Sequence, residues 1–113
     1  GRPNEAVPYA ERTVASARRL QLPATSLGAR LDTLGGALHL SGQLDAADRT
    51  YREAIAQLQS ALPRSAINHA TALNNHGLVL RDLGRSAEAL ARFEEAIAAR
   101  QAALGADDPS LAG

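Results

Sequence analysis

The side chains best suited to proton transfer at neutral pH are three histidines, His39, His69 and His76. His69 and His76 lie seven residues apart, so one helix face can carry both. A zinc site would need at least one further ligand, and the chain holds no Cys and no His-Glu-x-x-His pair. His76 stands where Leu34 stands 42 residues earlier, so packing against a neighbouring helix accounts for it. The acidic pair Asp107-Asp108 precedes Pro109 and suits the cap of a following helix better than a cation site. No Gly-rich phosphate loop and no Gly-x-Ser-x-Gly elbow occurs. The sequence therefore points to no enzyme, with no catalytic residue, no cofactor and no metal.

Composition narrows the class further. The chain has 113 residues, room for one ordinary domain. Without Cys there is no disulfide framework. No apolar run is long enough to span a membrane, and no stretch resembles a secretory signal, so a cytoplasmic location is expected. Twelve basic residues, all Arg, balance twelve acids to a formal net charge of zero. With no Lys and only three aromatic rings, the chain lacks the basic excess and the stacking platforms of a nucleic-acid binder. Met is absent even at position 1, which suggests a fragment or a processed chain.

The elements that would position any site come from an internal repeat. Leu31 recurs as Leu73, 42 residues on, and the same offset joins Gly35 to Gly77, Leu38 to Leu80 and Gly42 to Gly84. It continues through Ala47 and Ala89, Tyr51 and Phe93, and Ala54-Ile55-Ala56 and Ala96-Ile97-Ala98. A partial third copy opens the chain, where Gly1 to Val7 resembles Gly84 to Leu90. The expected units are a truncated repeat over 1–23, complete repeats over 24–65 and 66–107, and the start of another over 108–113. The chain then reads as a window on a longer array.

Each unit reads as two helices. Leu73, Gly77, Leu80 and Leu83 follow helical spacing, and Gly84 suits the left-handed residue past a helix end. A second stripe runs through Ala89, Leu90, Phe93, Ala96 and Ile97. The spacing predicts five helices at about 4–20, 25–41, 44–61, 65–83 and 86–104, with stops at Pro63 and Gly105. Pro8 places the first start either at an Asn4 cap or near Val7. Opposite charges four apart, Asp45 with Arg49, Asp48 with Arg52 and Glu88 with Arg92, are expected on a solvated outer face. Each such pair is worth only about 0.2–0.5 kcal/mol.

Glycine inside a helix costs about 1 kcal/mol relative to alanine. Gly35 and Gly77 therefore imply a compensating close approach of the paired helix, with Tyr51 and Phe93 as the large side chains between helices.

These positions resemble the tetratricopeptide repeat. That family places a large residue, Gly and a large residue in its first helix, here Leu73, Gly77 and Leu80. Its second helix carries Ala, an aromatic and Ala, here Ala89, Phe93 and Ala96. The 42-residue period, Asn74-Asn75, and the stretch Leu104 to Pro109 resemble the longer variant found in kinesin light chains and many bacterial proteins. The earlier repeat departs from it, with Asp32-Thr33 in place of the Asn pair and Pro63 in its linker.

The resemblance implies an all-α fold, a right-handed superhelical array of antiparallel helix pairs. It also implies that first helices line a concave face where partners bind. Carried over residue by residue, that face holds Ala29, Asp32, Thr33, Gly36 and His39, then Thr71, Asn74, Asn75, Leu78 and Arg81. The Asn pair could clamp a peptide backbone, and Arg81 could take a carboxylate. The expected function is a protein-interaction module that binds a peptide or a helix. Two alternatives stand beside it: a structural segment that self-associates, as a homodimer through exposed repeat ends, or the sensor arm of a larger bacterial signalling protein. No nucleic-acid and no membrane partner is expected.

Overall fold

The computed structural model describes residues 3–107. They form five helices: α1 (Pro3–Arg19), α2 (Ala24–Leu40), α3 (Leu44–Ser60), α4 (Ala66–Asp82) and α5 (Ser86–Asp107). Each helix packs on the next, and α2 also touches α4. Connections of a few residues between neighbours that pack together make successive helices antiparallel. The result is an all-α helical repeat array.

The helix ends repeat as the side chains do. After α2, Gly42 takes a left-handed φ of 80°. Its N–H bonds the carbonyl of His39 and the N–H of Gln43 bonds that of Leu38. After α4, Gly84 takes φ 81°, with the same two bonds to Arg81 and Leu80. These are Schellman ends, in which a left-handed residue satisfies two orphan carbonyls. The end of α1 has the same bond pattern, from Gln21 to Arg18 and from Leu22 to Ala17. There the left-handed position, φ 53°, is held by Gln21 rather than glycine.

Every boundary lies within a residue of the sequence expectation except the end of α5. The helix α5 does not stop at Gly105 but runs to Asp107; a helical glycine costs only about 1 kcal/mol, too little to end a helix alone. The first helix starts at Pro3 and takes in Pro8. Proline 8 removes only the bond to the carbonyl of residue 4, within the first two turns, and its ring is exposed. The segment after α3 turns back through Pro63 as expected, with the Leu62–Pro63 peptide cis. The buried Ser65 hydroxyl donates to the carbonyl of Leu58 there. Of the acidic pair expected to cap a following helix, Asp107 is instead the last residue of α5, while Asp108 and the start of a following repeat lie outside the described residues.

The close approach expected at the helical glycines is present in both repeats. A Cβ on Gly35 would stand 2.8 Å from the Tyr51 ring, and one on Gly77 would stand 2.6 Å from Cε1 of Phe93. A third contact of this kind joins Gly28 to Leu58, at 2.6 Å. Ala47, Ala54, Ala89 and Ala96 are buried at the same seams. One apolar cluster gathers Val7, Val14, Leu31, Leu34, Leu38 and Tyr51 with others from α1 to α4. A second gathers Ile55, Leu58, Leu73 and Ala96.

Candidate functional site

Contact between α2 and α4 draws several of the expected concave-face residues together. The amide nitrogen Nδ2 of Asn75 donates to Oδ1 of Asp32 at 3.3 Å. Nε2 of His39 lies 2.6 Å from Oδ2 of Asp82. Arg81 donates to Oδ1 of its neighbour Asp82 at 3.4 Å and 3.5 Å. Thr33 and Thr71 turn their hydroxyls back to carbonyls of their own helices, Ala29 and Ile67. Asn74 and Leu78 are half-buried beside them. Asn75 is thus engaged with Asp32, and Arg81 with Asp82, while the Asn74 side chain makes no hydrogen bond among the described residues.

Charge on this face is unevenly settled. The His39 hydrogen bond, with burial opposing and Arg81 assisting, holds the Asp82 carboxyl below its usual range. Burial raises the pKa of Asp32, and the Asn75 hydrogen bond only partly offsets it. Asp82 was absent from the sequence-based set, although it follows Arg81 directly. Its partner across the repeat is His39, 43 residues earlier, a separation no local pattern reveals.

A second polar group lies inside the seam between the repeats. His76 of α4 has no solvent exposure. Its Nε2 lies 2.6 Å from Oδ1 of Asp48 on α3, and its Nδ1 receives a hydrogen bond from Nε of Arg92 on α5 at 3.0 Å. Arginine can only donate, so Nδ1 carries no proton and the ring is the neutral Nε2–H form. Burial pushes its pKa down, against the hydrogen bond to Asp48. Burial pushes Asp48 the other way, yet His76 and the Arg52 and Arg85 guanidiniums together hold its carboxyl low. Arg52 reaches Asp48 at 3.0 Å and Arg85 reaches it at 3.3 Å.

His76 therefore packs against the neighbouring helices as expected, but by polar contacts. The expected outer-face pairs change accordingly. Asp48 and Arg52 do pair, but Asp48 is buried in the seam rather than solvated. Glu88 meets Arg52 and Arg85, while Arg92 turns to His76 and Glu95. Asp45 and Arg49 make no ion pair among the described residues. The signal in the sequence was joint: Asp48 stands where Leu90 and Val7 stand, and His76 where Leu34 stands.

Asp48 and His76 have the composition of an acid–base dyad without its access. Both ring nitrogens are engaged, and no reactant can reach them. The described residues hold no group of three or more His, Cys, Asp or Glu able to bind a metal ion. No described helix is long and apolar enough to cross a membrane. A groove of about 620 Å³ separates the start of α4 from the end of α5, lined by Leu62, Pro63, Ile67, His69, Ala99 and Ala103. Burial there lowers the pKa of His69.

Among protein families, residues 69–110 match the tetratricopeptide repeat. No curated protein and no solved structure gives a significant match.

Proposed function

As residues 69–110 match the tetratricopeptide repeat, we propose that the chain is a non-catalytic protein-interaction module. Its α2/α4 face holds a peptide or a helix from a partner protein, and a cytoplasmic setting belongs to the same reading. The units are the complete repeats 24–65 and 66–107, flanked by parts of two others. The observation that carries the reading is the Asp32–Asn75 hydrogen bond between the first helices of two successive repeats. It joins two helices into one surface, half-buried at Asp32, Asn74 and Asn75 and exposed at Thr33 and Arg81. Thr33, His39, Thr71, Asn74, Leu78 and Arg81 lie along it.

The test is a peptide library offered to the wild type and to Asn74→Ala/Asn75→Ala. Loss of about 1.4 kcal/mol, tenfold in affinity, is expected for the best ligand. Unchanged affinity would sink the residue assignment, and the absence of any peptide ligand would sink the function.

A second reading, self-association through α5, has its own support. Leu90, Ile97 and Leu104 recur every seven residues and are 59%, 59% and 52% exposed. The positions equivalent to Leu90 and Ile97 on α3, Asp48 and Ile55, are buried, and α3 packs on α4. A second copy presenting the same stripe would cover it.

A further inference from the structure

Beneath the polar face, the hydroxyl of one buried residue has no protein partner among the described residues. Tyr51 reaches from α3 toward α2 and is only 2% exposed. Its ring lies under Gly35, and its oxygen stands 3.5 Å from where a Cβ on Gly36 would be. Among the described residues this hydroxyl has no hydrogen-bond partner. Among the described residues no fully buried side-chain polar atom lacks one, so the oxygen itself is not sealed off, and the nearest gap is at Gly36, where a Cβ would meet nothing but this oxygen. Burial, and then the nearby Asp32 carboxylate, push the Tyr51 pKa up. The ring stays a neutral phenol.

Asp32 lies one helical turn before Gly36, on the same side of α2. Its Oδ1 accepts from Asn75, and its Oδ2 is unengaged among the described residues. An ionised carboxylate has about four lone-pair sites, so most of its accepting capacity is unused. No described cation neutralises it, whereas Asp82 on the same face has the Arg81 guanidinium beside it and a hydrogen bond to His39. The Oδ1 of Asn75 is also free to accept, because its Nδ2 donates to Asp32.

The second repeat lacks the whole arrangement. At the equivalent positions 42 residues on, Asn74 replaces Asp32, Leu78 replaces Gly36 and Phe93 replaces Tyr51. Acid, opening and hydroxyl are present together in one repeat and absent together in the other. A hydroxyl kept only for packing would not need the acid or the opening, since Phe93 packs under Gly77 without either.

We infer that the opening at Gly36, edged by Asp32, Asn75 and Tyr51, binds a primary ammonium group of the peptide partner. The inference rests on the α2/α4 face being the peptide site. An ammonium has three donors and no acceptor, and the opening offers oxygen acceptors, one of them charged. It is compact, as an opening left by a missing side chain requires. A guanidinium is a broad planar fork with five donors and fits the gap less well. The ammonium comes from a lysine side chain or from a free peptide N-terminus.

The test uses two positional-scanning peptide libraries, one N-acetylated and one with free N-termini. Enrichment of lysine at one position in the acetylated library, above arginine and acetyl-lysine, identifies the side chain. Enrichment confined to the free library identifies the N-terminus. Asp32→Asn keeps the size and the Asn75 contact, and is expected to remove the amine preference at least tenfold. Tyr51→Phe copies the second repeat and is expected to weaken it about threefold, a loss of about 0.6 kcal/mol. Thermal unfolding checks that both variants fold. Wild-type binding without amine preference, or a preference unchanged in both variants, overturns the ammonium site and leaves the peptide face standing. Failure of the wild type to bind either library overturns both.

Discussion

His76 and Asp48 meet across the seam of two repeats, Nε2 to Oδ1 at 2.6 Å, with Arg92 fixed on the far side of the ring. The equivalent positions one unit earlier are Leu34 and Val7, which share an apolar cluster. One place in the fold is thus filled by an apolar pair at the first junction and a polar pair at the second. His76→Leu should cost about 1–3 kcal/mol, because Asp48 and Arg92 lose a buried partner. Asp48→Val/His76→Leu should recover much of that loss, since replacing both partners restores an apolar seam. Urea unfolding of the two single variants and the double variant measures the coupling. Additive losses would show that the pair does not act as a unit.

The same ring makes stability depend on pH. The folded pKa of His76 lies below its ordinary 6.5, so the unfolded chain binds more protons in this window. Stability then rises with pH, and it is lost as pH falls from about 6.5 toward the folded value. His69 is shifted the same way, so its share must be separated. Denaturant midpoints from pH 7.5 to pH 5 should fall for the wild type and for His69→Gln. The fall should be smaller in His76→Leu. Equal slopes in wild type and His76→Leu would contradict the buried neutral ring.

Adjacent glycines of α2 should respond oppositely to alanine. At Gly36 the new methyl meets only the Tyr51 oxygen, at 3.5 Å. Helix propensity then dominates, with a gain of about 1 kcal/mol. At Gly35 it would press on three ring atoms of the buried Tyr51 at 2.8–2.9 Å, and a net loss of about 1–3 kcal/mol is expected. Gly77→Ala presses on Phe93, which is only half-buried and can yield, so its loss should be smaller. Melting temperatures rank the three.

Gln21 occupies a left-handed backbone position that glycine occupies after α2 and α4. An L-residue there carries a strain of about 1–2 kcal/mol. Gln21→Gly should raise stability by about 1 kcal/mol after its larger unfolded-state entropy is counted. A lower melting temperature would mean that the Gln21 side chain contributes more than its strain.

Leu90→Gln/Ile97→Gln removes two members of the exposed α5 stripe. Monomer stability should change by less than about 0.5 kcal/mol. Any concentration-dependent association seen by sedimentation in the wild type should disappear. A dimer that survives the change would be held elsewhere.

Helix positions were legible because they depend on short-range spacing: the apolar stripes, Gly42 and Gly84 each stand within a few residues of the end they mark. The glycine–aromatic seams were legible because the repeat displays each of them twice. What escaped was whatever exists in one copy only. Asp82 finds His39, Asp48 finds His76, and the Tyr51 hydroxyl opens at Gly36 through contacts between residues 15 to 43 apart. Their partners are set by how helices stack, which no local window contains. Gly105 misled for a related reason, since one weak breaker does not outweigh the helix formers around it.

The alternation of apolar and polar seams also makes the order of the units non-permutable. Exchange 24–65 with 66–107, and Val7 would confront His76, Leu90 would confront Leu34, and Asp48 would lose its histidine. At this one position each module carries an address that only its own neighbour can read.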